Sequence, residues 1–267
     1  MRSGGREVSC SVSGGLSVFS VAVAGLSVVA VPLNFFADGG TVEDLREVER
    51  SLATGCGRVF LYQDRWMSAG PAVRAMLRVR MGQGLRVFAR NCEVRAVTPE
   101  AAAAFLQRNH VYGSARTRYR LGLFRIRSTG SAETGMDQTP GMVAVATFSD
   151  GRLREDGTVS YEWVRYAGVR GVSVVGGMGR LLDAFVATVG DGTPMDVMTY
   201  ADLEWYDGRS YRRLGFRPCG QRKPVVFRCI DGQRVCSRDD GKGVALLNLG
   251  SLKYVRSYWD TGCTSRL

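Results

Sequence analysis

Apolar residues along the chain switch between two spacings. From Val8 to Ala37 the spacing is mostly two: Ser17-Val18-Phe19-Ser20-Val21-Ala22-Val23 alternates and is rich in β-branched residues, the habit of a strand with one covered face. The whole stretch lacks charge and follows Arg2 and Arg6, so an export signal or membrane anchor stands as the alternative to strands or an extended leader. Its repeated Ser and Gly favour strands. No other segment is apolar for long enough to span a bilayer.

Val28 to Leu33 reads as a buried strand. Thr41-Val42-Glu43-Asp44 is a capping box that opens a helix with Leu45, Val48 and Leu52 on one face, closed by Gly55 and Gly57. Arg58 to Tyr62 is the next strand, and so short a strand-helix-strand crossover implies parallel pairing. Pro71 opens a helix that turns Val73, Met76 and Leu77 inward and leaves Arg74 and Arg78 on another side.

A second alternation begins near Asn91. Cys92 to Val97 is strand-like, and Thr98-Pro99-Glu100 caps a helix continued by Ala101 to Leu106. Tyr119 to Ile126 and Met142 to Phe148 read as strands joined by a Ser, Thr and Gly-rich loop from Arg127 to Gly141. Thr158 to Tyr166 follows as a strand, then an amphipathic helix from Gly177 with Met178, Leu181, Leu182, Phe185, Val186 and Val189 on one stripe. Met195 to Tyr200 is a strand, Asp207 to Leu214 a short helix ended by Gly215, and Phe216 to Gly220 and Val225 to Ile230 are the last strands. The order β-α-β-β-β-α-β-α-β predicts a mixed α/β fold. Residues 1–25 are a leader, 26–90 a small β-α-β unit, 91–230 a larger α/β domain, and 231–267 a tail containing Leu246 to Tyr254.

Composition adds partners and compartment. The 267 residues correspond to roughly 1.8 domains of ordinary size, and 45% hydrophobic residues suffice for a core. Lys and Arg total 36 against 25 Asp and Glu, a net charge of +11 that favours polyanions such as nucleic acid or phosphate-bearing cofactors. Lys occurs only at Lys223, Lys242 and Lys253, so the charge is carried by arginine, whether through codon bias or through a selected phosphate-binding surface. Seven cysteines, odd in number and without a Cys-x-x-Cys pair, point to reduced thiols in a cytoplasmic protein. The intervals between Cys219, Cys229, Cys236 and Cys263 match no zinc pattern, and no metal is expected.

The strongest chemical signal is Val174-Val175-Gly176-Gly177-Met178-Gly179-Arg180, between a strand and the amphipathic helix. Glycines there let backbone N–H groups approach a phosphate, and the helix N-terminus adds a favourable dipole. The same glycines also suit close packing of helix on sheet. Neither a Walker motif nor G-x-G-x-x-G is present. About thirty residues later stands Asp207 to Phe216, which contains Tyr211-Arg212-Arg213-Leu214-Gly215-Phe216.

Together these two segments resemble the GNAT superfamily of N-acyltransferases over roughly Asn91 to Ile230. That resemblance implies that a turn formed by Val174, Val175, Gly176, Gly177, Gly179 and Arg180 holds the pyrophosphate of acetyl-CoA or another acyl-CoA. Val174 stands where the family usually carries Gln or Arg. The resemblance further implies that Tyr211, in a Tyr-x-x-Leu-Gly-Phe signature, protonates the departing thiolate. Glu162, in the strand before the glycine turn, is the candidate for taking the amine's proton. Asp202 and Glu204 are second choices for that acid, and His110, the only histidine, joins them as a substrate-side candidate. No G-x-S-x-G elbow accompanies His110, which argues against a hydrolase.

The front half, through Phe60 to Trp66, Val87 to Cys92 and Phe105 to Gly113, looks like phage and mobile-element proteins in which a homing-endonuclease domain precedes a GNAT-like segment. Its carboxylates, Asp38, Glu43, Asp44, Glu47 and Glu49, fall mostly on a helix and not at strand ends, so a nuclease active site is not expected. The reading that results is an acyl-CoA-dependent N-acyltransferase acting on a small-molecule or macromolecular amine. The alternative is a DNA-binding or DNA-modification accessory protein that keeps the fold without acetyl transfer, with Arg74 and Arg78 as its feature.

Overall fold

The structure is a computed structural model that describes residues 7–52, 57–126, 141–236 and 241–259. Residues 127–140 of the loop predicted from Arg127 to Gly141, together with Gly55, Cys56 and Cys263, lie outside the described residues, as does the side chain of Cys236. The chain forms two compact units: Met1–Gly82 with Ala201–Arg209 and Cys219–Lys253, and Gln83–Tyr200 with Ser210–Pro218 and Tyr254–Leu267.

The first unit opens with β1 (Val8–Ser13), β2 (Leu16–Val21), β3 (Leu26–Val31), α1 (Val42–Ser51), β4 (Gly57–Tyr62), α2 (Gln63–Ser68) and α3 (Gly70–Arg80). The uncharged stretch is therefore strand: β1, β2 and β3 pair antiparallel in turn, and β4 joins β3 in parallel, as the crossover requires. Gly14 (φ 53°) and Gly15 (φ 74°) make the two-residue turn between β1 and β2, where both positive φ values suit glycine. The capping box is present, since Thr41 Oγ1 accepts the Asp44 N–H at 3.2 Å and Asp44 Oδ2 accepts the Thr41 N–H at 2.8 Å. Leu45 and Val48 then pack into the core with Leu16, Val18, Val29, Val31, Phe60 and Tyr62. The short α2 has no apolar period of its own and escapes sequence reading. In α3, Val73 is buried whereas Met76 and Leu77 are half-buried.

The chain continues with β5 (Leu85–Phe88), β6 (Cys92–Ala96), α4 (Pro99–Asn109), β7 (Tyr119–Arg125), β8 (Met142–Phe148), β9 (Arg152–Leu153), β10 (Val159–Gly168), β11 (Val172–Val175), α5 (Gly177–Val189), β12 (Met195–Asp202), α6 (Arg209–Arg213) and β13 (Arg217–Arg222). Last come β14 (Val226–Ile230), β15 (Gln233–Cys236), β16 (Val244–Leu247) and β17 (Ser251–Tyr258). A mixed eight-stranded sheet runs β13-β17-β12-β10-β8-β7-β6, with the short β9 on β10. The segment expected to be a tail thus supplies β15, β16 and β17. Its polar, Gly-rich start hides a turn at Asp231 and Gly232, both at positive φ, between two short strands.

Helices cover both faces of this sheet in the second unit. On one face Phe185 of α5 stacks on Phe148 at 3.8 Å between ring centroids, with Tyr119 and Tyr161 edge-on at 5.4 and 5.3 Å. Ala102, Phe105 and Leu106 of α4 pack against Val145 and Ala167. Val145 and Phe148 are an odd number of residues apart in one strand, so α4 and α5 lie on opposite faces.

In the first unit a charged group is sealed inside. Arg234 of β15 donates through Nε and Nη2 to the two Asp64 carboxylate oxygens (2.7 and 2.9 Å) and through Nη1 to Glu204 Oε1 (2.7 Å). All three side chains are 1% exposed or less, and the guanidinium lies 4.9 Å from the Tyr62 ring centroid. Burial, then the charge of Asp202, pushes the Glu204 carboxyl up to about 7, with Arg234 pulling it back. Burial pushes the Arg234 guanidinium down, yet its bonds to Asp64 and its attraction to Glu204 hold it above the ordinary value.

Two outcomes follow from this packing. Arg234→Met leaves two carboxyl groups buried without their cation and is expected to cost about 3–5 kcal/mol, read from urea unfolding; a loss within error of zero contradicts the arrangement. A carboxyl raised by folding contributes stability below the ordinary carboxylate range and loses that contribution as the pH rises toward 7. Urea midpoints measured from about pH 4 to 8 should therefore fall relative to Glu204→Gln as the pH rises.

Candidate active site

The site begins with a register conflict in β10. This strand pairs antiparallel with β8 and parallel with β12, but between Trp163 and Arg165 it carries one extra residue, Val164, relative to β8. The ladder to β12 ends at Glu162↔Met198, while β10 continues to Gly168. Side chains take over where the ladder stops. Thr199 Oγ1 donates to the Trp163 carbonyl at 3.0 Å, and Trp163 Nε1 donates to the Arg165 carbonyl at 3.0 Å.

Around this parting stands an aromatic group. Tyr211 of α6 lies 6.0 Å from Trp163, 5.8 Å from Phe216 and 5.7 Å from Tyr254 between ring centroids. Gly215 at φ 81° closes α6, and the Phe216 N–H returns to the Tyr211 carbonyl at 3.1 Å. That is the local reason for the Tyr-x-x-Leu-Gly-Phe spacing: the glycine reverses the chain so that Phe216 packs beside Tyr211. Glu162 is half-buried in the strand position before Trp163, so its side chain leaves the sheet on the other face. Arg165, largely buried, has its guanidinium pushed down by that burial, with Tyr112 and then Glu162 drawing it up.

The glycine turn lies at the end of a two-stranded parallel sheet. β5 and β11 pair from Leu85↔Val172 to Phe88↔Val175, which brings the residues after both strands side by side. Gly176, at φ 77°, is the N-cap of α5 and offers no side chain, so no cap bond occupies the first N–H groups of the helix. A cavity of about 430 Å³ opens there, lined by Phe88, Ala89, Arg90, Val175, Gly176, Gly179, Arg180 and Asp183. Among the described residues neither Arg90 nor Arg180 is in an ion pair, and the Arg90 guanidinium sits 4.9 Å from the Phe88 ring centroid. The arrangement suits an anion: N–H groups at a helix start, two guanidinium groups and one opposing carboxylate.

The structure divides the sequence-predicted residues. Val175, Gly176, Gly179 and Arg180 line the cavity, and Gly177 does not. A Cβ at Gly177 would stand 2.7 Å from Val174 Cγ1 and 2.9 Å from Tyr166 Oη, so this glycine and Val174 serve the packing of helix on sheet. His110 is the C-cap of α4, and its Nδ1 accepts the Tyr112 N–H at 3.0 Å. Asp202 Oδ1 accepts the Glu204 N–H at 2.9 Å, and Glu204 itself is sealed against Arg234. Asp202 and Glu204 belong to the first unit, whereas Glu162, Tyr211 and the glycine turn belong to the second.

Sequence reading missed Phe88, Ala89, Arg90 and Asp183 of the cavity and Thr199 at the parting. The Leu85-Arg86-Val87-Phe88 alternation was the available signal for β5. Among the described residues no cluster of three or more His, Cys, Asp or Glu side chains is placed to hold a metal ion, and no helix is long and apolar enough to cross a membrane.

No family model and no curated protein matches the chain. Among solved structures it is similar to a histone acetyltransferase HPA2 and related acetyltransferase from Corynebacterium glutamicum, at 17% identity and a TM-score of 0.27. The match covers 51% of this chain and 62% of the other, so the chain spans less than two thirds of that neighbour.

The two glycines behave differently on substitution. Gly177→Ala drives a methyl into Tyr166 and Val174 and is expected to cost about 1–3 kcal/mol. At Gly179 the nearest atom is the end of the Leu214 side chain at 3.3 Å, so Gly179→Ala should cost well under half as much. Thermal unfolding of both variants checks the order, and equal losses would refute it.

Proposed function

We propose that this protein is an acyl-CoA-dependent N-acyltransferase that passes an acyl group to an amine. One observation carries the reading: β10 and β12 part beyond Glu162↔Met198 in the unit that also carries the glycine turn and Tyr211. A gap between two strands reaches both faces of a sheet, so an acyl donor and an amine can meet through it from opposite sides. The Tyr211 to Phe216 signature and the order of strands and helices support the same reading.

The residues present fit the phosphate end of such a cofactor. The N–H groups after Gly176 and the Arg180 guanidinium would hold its pyrophosphate, with Arg90 facing the same cavity in place of the charge that Val174 does not supply. When bound, the acyl-CoA supplies an acyl group already activated as a thioester. Glu162 takes the proton that the amine sheds, directly or through a water. Tyr211 donates its hydroxyl proton to the departing sulfur from a ring held by Trp163, Phe216 and Tyr254. The N–H of Val164, the residue that the bulge leaves out of the register with β8, is suited to the acyl oxygen, since fixed dipoles aimed at developing charge need no reorganisation.

Calorimetry with acetyl-CoA tests this. Binding is expected to release heat and to raise the melting temperature, by the equivalent of about 2.7 kcal/mol when the ligand is at a hundred times Kd. Arg180→Ala should weaken binding about tenfold, the effect of removing one charge-assisted hydrogen bond, whereas Tyr211→Phe should leave it nearly unchanged. Absence of heat and of any thermal shift at millimolar acetyl-CoA would remove the enzymatic reading.

A further inference from the structure

We propose that β1 is a self-pairing edge: two copies of this chain join antiparallel about Cys10, making one continuous eight-stranded sheet from the four-stranded sheets of their first units. The strand order places β1 at the border of its sheet. Val8 to Val12 are all exposed, with Val8 at 54% and Val12 at 73%, and Phe19 beside Cys10 on β2 is 39% exposed. Natural sheets protect such borders with lysine, proline, a bulge or an inward charge. None of these is present here, since β1 matches β2 without a bulge and no charged residue falls between Val8 and Ala37.

The occupant follows from the symmetry of the strand. Val8-Ser9-Cys10-Ser11-Val12 reads the same in both directions, and an antiparallel pair centred on its middle residue is self-complementary, as a twofold interface requires. Val8 then faces Val12 of the second copy, Ser9 faces Ser11, and Cys10 faces Cys10. The backbone is in phase with this register. In a hairpin closed by a two-residue loop the flanking residues, here Ser13 and Leu16, form a hydrogen-bonded pair, and bonded and non-bonded pairs alternate from there. Val12, Cys10 and Val8 therefore turn their N–H and C=O groups to the open border, and the twofold register gives each of those groups a partner. Contact of one six-residue strand on another is at the small, reversible end of protein interfaces, so association depends on concentration.

The register also places the two Cys10 residues as a bonded antiparallel pair with Cα atoms about 5.5 Å apart, within the Cα span of a disulfide, and a small twist of the two border strands brings the Cβ atoms from about 5.5 Å to the roughly 3.5–4.5 Å that the bond needs. Diamide reads this out: its N=N bond takes up two electrons and two protons as the two thiols close to one S–S bond. The full chain is examined under reducing conditions by sedimentation velocity from low to high micromolar concentration, alongside Cys10→Ser, Cys10→Lys and Val12→Lys. The dimer fraction should rise with concentration in the unmodified chain and in Cys10→Ser. It should vanish in Cys10→Lys, which sets two cations face to face, and in Val12→Lys, with circular dichroism and melting unchanged in both. Diamide should yield a Cys10–Cys10 linked peptide from the unmodified chain. A monomer at every concentration, a Cys10→Lys variant that still dimerises, or a linked peptide joining other cysteines overturns the inference.

Discussion

A strand can keep two neighbours only while its spacing agrees with both. β10 has β8 on one side and β12 on the other, and the extra Val164 lets it stay with β8 at the expense of β12. The parting at the candidate site and the aromatic group around it descend from that choice. Beyond Glu162 the ladder to β12 stops, and Thr199 of β12 bonds the Trp163 carbonyl through its side chain instead. Trp163 in turn gives Tyr211 a wall to pack on, and the left-handed Gly215 returns Phe216 to complete the group.

The second unit was largely legible because its elements carry strong local signals. Thr98 before Pro99, the apolar stripe of α5 and the Met142 to Phe148 run each state their structure within a dozen residues, and their order is the observed one. Elements that draw their stability from partners were not legible. α2 has no stripe of its own, and β5 is four residues whose worth lies in pairing with β11 eighty-odd positions later. The cavity shares this difficulty: Arg90 and Arg180 stand together only because that pairing brings two strand ends into line. The glycine run, by contrast, announced both uses of glycine at once, and the structure separates them, with Gly176 and Gly179 open to the cavity and Gly177 closed against the sheet.

In the first unit the ionic group around Arg234 shows how a polar interior is made tolerable. Asp64 from α2 through both its oxygens and Glu204 from the segment after β12 through Oε1 accept from Arg234 of β15, Glu204 Oε2 is buried without a hydrogen bond, and Tyr62 covers the guanidinium with its ring. A group of this kind adds little net stability over a well-packed apolar one, because desolvation offsets most of the attraction. What it does is join three segments distant in the chain by bonds with strict geometry. Glu204 looked from the sequence like an acid available to a substrate, and residue type alone carries no information about the arginine that claims it.

The crowding at Gly177 reaches beyond packing. Since Tyr166 and Val174 dictate the path of the chain from within the sheet, the outward positions 175 and 180 are relieved of any part in shaping it. Mutation can therefore alter the chemical character of the loop's rim while its backbone keeps the same course, which makes this stretch a place where ligand preference can drift over generations without endangering the fold.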